Sequence, residues 1–87
     1  MKIKDGFMLR QIVDTWLVVP IAERVVDFNG MITLSDTGAF LWKLILTGKS
    51  EDELLAAMLG EYEVDEKTAK ADITEFLDRL QSGGILE

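Results

Sequence analysis

An α+β fold is predicted. It is a winged helix-turn-helix-like unit in which a small antiparallel sheet of about three to four N-terminal strands packs on a three-helix core. Three observations lead there. The β-prone runs are confined to the first third of the chain. Three later segments each pair a helix-capping residue with an apolar stretch. Every connection between them is short. At 87 residues the chain is long enough for one core and not for two, so residues 1–87 are expected to form one domain.

The strands come first. Phe7, Leu9 and Val13 alternate with Met8, Arg10 and Ile12, an imperfect period of two. Asp14-Thr15 interrupts, and Trp16-Leu17-Val18-Val19 follows as a second strand. Pro20 has no N–H to donate, so that strand ends there or lies at an edge. Arg24 to Phe28 and Met31 to Leu34 flank Asn29-Gly30, a pair suited to the positive φ angles of a type I′ hairpin turn. That register sets Phe28 opposite Met31 and Val26 opposite Thr33, with Val25, Asp27, Ile32 and Leu34 sharing the other face.

The helices follow. Ser35 is an N-cap with Asp36 in the first turn, where the helix dipole favours an acid. This helix runs to about Leu46 and is apolar almost all round, which places it at the centre of the core; Gly48 ends it. Ser50-Glu51-Asp52-Glu53 is a capping box that opens a helix carrying Leu54, Leu55, Met58 and Leu59 and stopping near Gly60. Asp65 caps the third helix, whose stripe is Ala69, Ile73, Phe76, Leu77 and Leu80, and Gly83-Gly84 ends it. Ile85-Leu86 is left to add a short strand or tuck under the sheet.

Composition narrows the function. Hydrophobic residues make up 48% and charged residues 29%, a globular balance rather than a disordered one. No apolar run approaches the ~18–20 residues that span a bilayer, and the N-terminus lacks the apolar stretch of a signal peptide, so the expected location is the cytoplasm. There is no cysteine and no histidine, which removes thiolate nucleophiles, imidazole acid–base chemistry and the usual zinc sites. The formal charge of −7 opposes both nucleic acid and an anionic membrane surface. No enzyme activity, metal or cofactor is expected.

The remaining features have plain structural explanations. Glu61, Glu63, Asp65 and Glu66 lack the spacing of a calcium loop and read as a solvated loop with a cap. Ser35 and Ser50 have no base placed to activate them and read as caps. Trp16 and Trp42 lie in apolar runs and read as core. The third helix carries Glu66, Asp72, Glu75 and Asp78 against Lys67, Lys70 and Arg79, a poor face for phosphate. A DNA-binding regulator is therefore an alternative motivated only by the winged-helix shape.

The segment from Val25 to Leu34 contains no lysine and no proline, the residues that usually blunt a sheet edge. Two readings stay open. Other strands, or a second copy of the chain in a homodimer, cover it; or an extended peptide adds to it as a strand, with backbone hydrogen bonds supplying affinity and side-chain pockets supplying specificity.

From Phe7 to Leu86 the chain resembles the PqqD-like family, small proteins related to the peptide chaperone of pyrroloquinoline quinone biosynthesis. The most specific stretch is Gly30 to Trp42, with its Thr37-Gly38-Ala39 step and Leu41-Trp42. Gly48-Lys49-Ser50 with Glu53-Leu54 resembles the family's second-helix start. Tyr62, Val64-Asp65, Ala71-Asp72-Ile73, Phe76-Leu77, Leu80 and Gly84-Ile85-Leu86 resemble its third helix and ending. The resemblance implies a recognition element for ribosomally made, post-translationally modified peptides. Such a module holds the leader segment of a precursor as an added strand and presents it to a modifying enzyme, often a radical S-adenosylmethionine enzyme, which supplies the chemistry and any iron–sulfur cofactor. Carried over by position, Val25, Val26, Asp27, Phe28, Met31, Ile32 and Thr33 are the residues for backbone pairing. Asp72, Phe76, Arg79 and Leu80 are those for the groove, with plain core the competing role for Phe76 and Leu80.

Overall fold

A computed structural model describes residues 2–21 and 32–87. Three antiparallel strands precede three helices: β1 (Phe7–Ile12), β2 (Thr15–Pro20), β3 (Ile32–Leu34), α1 (Asp36–Leu46), α2 (Glu51–Glu61) and α3 (Glu66–Ser82). The expected α+β fold with its three helices is observed. The expected strand at Arg24 to Phe28 and the turn at Asn29-Gly30 lie outside the described residues.

The sheet order is β1-β2-β3. β1 and β2 pair from Phe7 opposite Pro20 to Ile12 opposite Thr15, so the turn between them is Val13-Asp14 rather than Asp14-Thr15. Val13 takes φ +57, a conformation that a β-branched side chain resists. The hairpin is imposed by the apolar pairing on either side and not by its turn residues. Phe7, Leu9, Trp16, Val18, Ile32 and Leu34 belong to the core cluster or pack on it, whereas Met8 and Ile12 are exposed on the opposite face.

Each helix begins where its cap was read. The Gly38 N–H donates to Ser35 Oγ at 3.1 Å and the Thr68 N–H to Asp65 Oδ1 at 2.7 Å. The capping box is reciprocal: the Glu53 N–H donates to Ser50 Oγ at 3.2 Å and the Ser50 N–H to Glu53 Oε1 at 2.9 Å. These bonds stabilise the ionised carboxylates, so both Glu53 and Asp65 are held below their ordinary values. Gly60 lies inside α2, which ends one residue later at Glu61.

α1 buries Gly38, Ala39, Leu41, Trp42 and Ile45, a broad face, while Leu46 stays exposed. Trp42 is fully buried at the centre of the core, and its indole N–H finds no acceptor among the described residues. Trp16 is peripheral. Its ring is half-buried beneath the Lys43 ammonium, 4.4 Å from the ring centre, and its Nε1–H donates to Asp36 Oδ1 at 3.0 Å. α3 inserts its expected stripe, Ala69, Ile73, Phe76, Leu77 and Leu80. The chain ends close on each other: Ile3 and Leu86 form an antiparallel bridge, with the Lys4 N–H donating to the Ile85 carbonyl and the Glu87 N–H to the Lys2 carbonyl, both at 2.8 Å.

Candidate functional site

The direction of each backbone group on β3 follows from one bond at the far side of the sheet. The Ile21 N–H donates to the Gly6 carbonyl at 2.8 Å, bracketing the pair Phe7–Pro20, which is therefore a non-hydrogen-bonded pair. Alternation then makes Met8–Val19, Arg10–Leu17 and Ile12–Thr15 the hydrogen-bonded pairs. Leu17 turns its N–H and carbonyl toward β1, and Trp16 and Val18 turn theirs toward β3. Trp16 faces Leu34, Leu17 faces Thr33 and Val18 faces Ile32. Ile32 and Leu34 consequently bond to β2, and Thr33 directs both its N–H and its carbonyl away from the sheet. The same alternation explains Pro20, whose nitrogen owes no bond to β1.

Among the described residues no strand pairs with this outer edge. One side chain reaches it: Arg79 Nη2–H donates to the Thr33 carbonyl at 3.2 Å, across 46 positions of sequence. That bond confirms the outward direction of the carbonyl and ties α3 to the edge.

Asp72, Glu75, Phe76 and Arg79, spaced i, i+3, i+4 and i+7, form one flank of α3. Beside the β3–α1 junction that flank encloses a cleft of about 250 Å³, whose other wall is Ser35, Thr37, Gly38 and Leu41. Gly38 makes the close approach possible. A Cβ there would stand 3.3 Å from Leu34 Cβ and 3.4 Å from Phe76 Cε1, so the Thr37-Gly38-Ala39 step lets the start of α1 sit against α3. Beyond Arg79 the cleft meets an open hollow of about 880 Å³ lined by Ile32, Ala71, Thr74, Asp78 and Ser82 among others, and Glu75 and Arg79 border both spaces. Among the described residues the hollow is lined by the face of α3 opposite its buried stripe together with Ile32 of β3, so the hollow adjoins strand and helix, while the smaller cleft lies between the start of α1 and α3.

The expected site residues are distributed as follows. Ile32 is half-buried and Thr33 exposed on the β3 edge. Asp72, Phe76 and Arg79 line the cleft. Leu80 is fully buried among the core residues and reaches neither space, and Phe76 contributes both to the core and to the cleft wall. Val25, Val26, Asp27, Phe28 and Met31 lie outside the described residues. Glu75 was not anticipated, although its position three residues after Asp72 and four before Arg79 puts it on the same flank. Ser35 is expected as a cap, and Thr37, Gly38 and Leu41 as part of the family-like stretch, none of them as a site residue.

The family model for coenzyme PQQ synthesis protein D (PqqD) matches residues 17–86. The chain belongs to the PqqD family. Among solved structures it is similar to TbiB1 in complex with the TbiA(beta) leader peptide, at 29% identity and a TM-score of 0.81, covering 100% of this chain and 95% of that one. It also shares its fold with a lasso peptide synthetase B1 complexed with its leader peptide, at 20% identity and a TM-score of 0.80, covering 99% of this chain and 95% of that one. Among curated proteins none matches the chain in sequence.

Proposed function

We propose that the chain is a non-catalytic recognition module that captures the leader segment of a ribosomally made precursor peptide and presents it to a modifying enzyme. The observation that carries this is the outward-facing Thr33 N–H and carbonyl beside the cleft wall of Asp72, Glu75, Phe76 and Arg79. An extended segment added there gains backbone bonds from β3 and lays its side chains against α3. The similarity to TbiB1, a protein solved with a leader peptide, supports the same reading.

The absence of cysteine and histidine supports a binding role rather than a catalytic one, as does the commitment of the Ser35 and Ser50 hydroxyls to cap bonds. The modifying partner, a radical S-adenosylmethionine enzyme or another maturase, supplies the chemistry. The whole chain acts as one domain in the cytoplasm, consistent with no described helix being long and apolar enough to cross a membrane. Asp72 and Glu75 beside Arg79 leave the cleft with excess negative charge, which favours a basic side chain on the bound segment. The test is isothermal titration with the leader of a precursor encoded beside the gene. Saturable one-to-one binding is expected, and absence of binding would overturn the reading.

A further inference from the structure

An open strand edge accepts extended segments with little discrimination, because its backbone groups are the same for every sequence. Here the acceptor on that edge is occupied. The Arg79 guanidinium bonds the Thr33 carbonyl and stands at the border between the cleft and the hollow. An added strand would lie about 4.8 Å from β3 and draw on the same carbonyl that the guanidinium bonds at 3.2 Å. A strand amide that pairs with this carbonyl therefore competes with a charged donor already bonded to it.

We propose that Arg79 sets the selectivity of the β3 edge. This rests on the peptide-capture reading and adds a discriminating residue to it. In the free protein Arg79 holds the carbonyl that any pairing strand needs. A segment joins only when the side chains it lays along α3 compensate for displacing that charged donor. A second copy of β3 brings no such side chains, and it brings a second chain of the same −7 charge, so self-pairing is refused. The displaced guanidinium has a place to go. Glu75 lies four residues before it on the same helix, the favourable order for an acid–base pair, and makes no ion pair among the described residues.

The test uses the full chain with Arg79→Met, which keeps the stem and removes the donors, and Arg79→Gln as a second variant. Sedimentation velocity without peptide and titrations with two probes are compared: the TbiA(beta) leader peptide and a scrambled version of it. Wild type is expected to be monomeric and to prefer the native order. The variants are expected to self-associate and to bind the scrambled peptide about fivefold more tightly, the equivalent of one lost hydrogen bond. Monomeric variants that bind the native leader more weakly and the scrambled one unchanged would overturn the proposal and make Arg79 a direct peptide contact. If wild type binds neither probe, the capture reading loses its support with this leader, while sedimentation still decides whether Arg79 guards the edge.

Discussion

Thr33→Pro separates the docking edge from the fold. Proline removes one N–H, and on β3 the N–H of Thr33 points away from β2, so the β2–β3 ladder keeps all its bonds. The residue before it, Ile32, is already extended, as a residue preceding proline prefers to be. Among the described residues nothing else pairs with that N–H, so the thermal midpoint should change little. A docked strand loses one backbone hydrogen bond, about 1 kcal/mol, which is roughly a fivefold rise in Kd. Thr33→Ala keeps the N–H and should bind as wild type does. Ile32→Pro removes a donor that faces Val18 and should lower stability instead. The assay is fluorescence anisotropy with a labelled leader peptide, run beside thermal melts. A folded Thr33→Pro with unchanged affinity would refute the edge assignment. An unfolded Thr33→Pro beside a stable Ile32→Pro would refute the ladder alternation from which it follows.

Other outcomes follow from the fold. Val13→Gly relieves a β-branched residue at φ +57 and should raise stability by about 1 kcal/mol, read as a higher urea midpoint. Leu54→Ala empties a fully buried site in α2 and should cost about 2–5 kcal/mol, enough to shift the thermal midpoint by more than ten degrees or unfold the chain. Ser50→Ala removes one half of the capping box and should cost about 1 kcal/mol in a denaturant titration. The carboxyls of Glu53 and Asp65 sit below their ordinary values of 4.5 and 3.8 in the folded chain. Their contribution to stability is present above those values and is lost as pH falls through the lowered folded ones. Melts should hold steady near neutrality and decline in that acid window, with part of the decline missing in an Asp65→Asn, Ser50→Ala double variant.

The helices were legible in the sequence because their signals are local. Ser35, Ser50 and Asp65 each announce a helix by a side-chain oxygen placed three residues before the amide it accepts from. The turn at Val13-Asp14 was displaced by one residue because no glycine or asparagine marks it and the register is decided by cross-strand pairing. The bridge between Ile3 and Leu86 joins the two ends of the chain and has no local signature. At the site, β3 and the Asp72–Phe76–Arg79 flank could be read from pattern and resemblance. The Arg79–Thr33 bond could not, because it spans 46 residues and depends on which way a single carbonyl points. Leu80 shows the limit from the other side: its helical spacing suits core and groove alike, and packing sends it to the core.

The most direct test of peptide capture is a heteronuclear NMR titration of the labelled chain with the leader segment of a precursor encoded beside its gene. Shifts are expected to concentrate on Ile32, Thr33 and Leu34 and on the α3 flank of Asp72, Glu75, Phe76 and Arg79, with the Thr33 amide becoming protected from exchange. Shifts confined to β1 or to the exposed sheet face around Met8 and Ile12, with Thr33 unmoved, would contradict it.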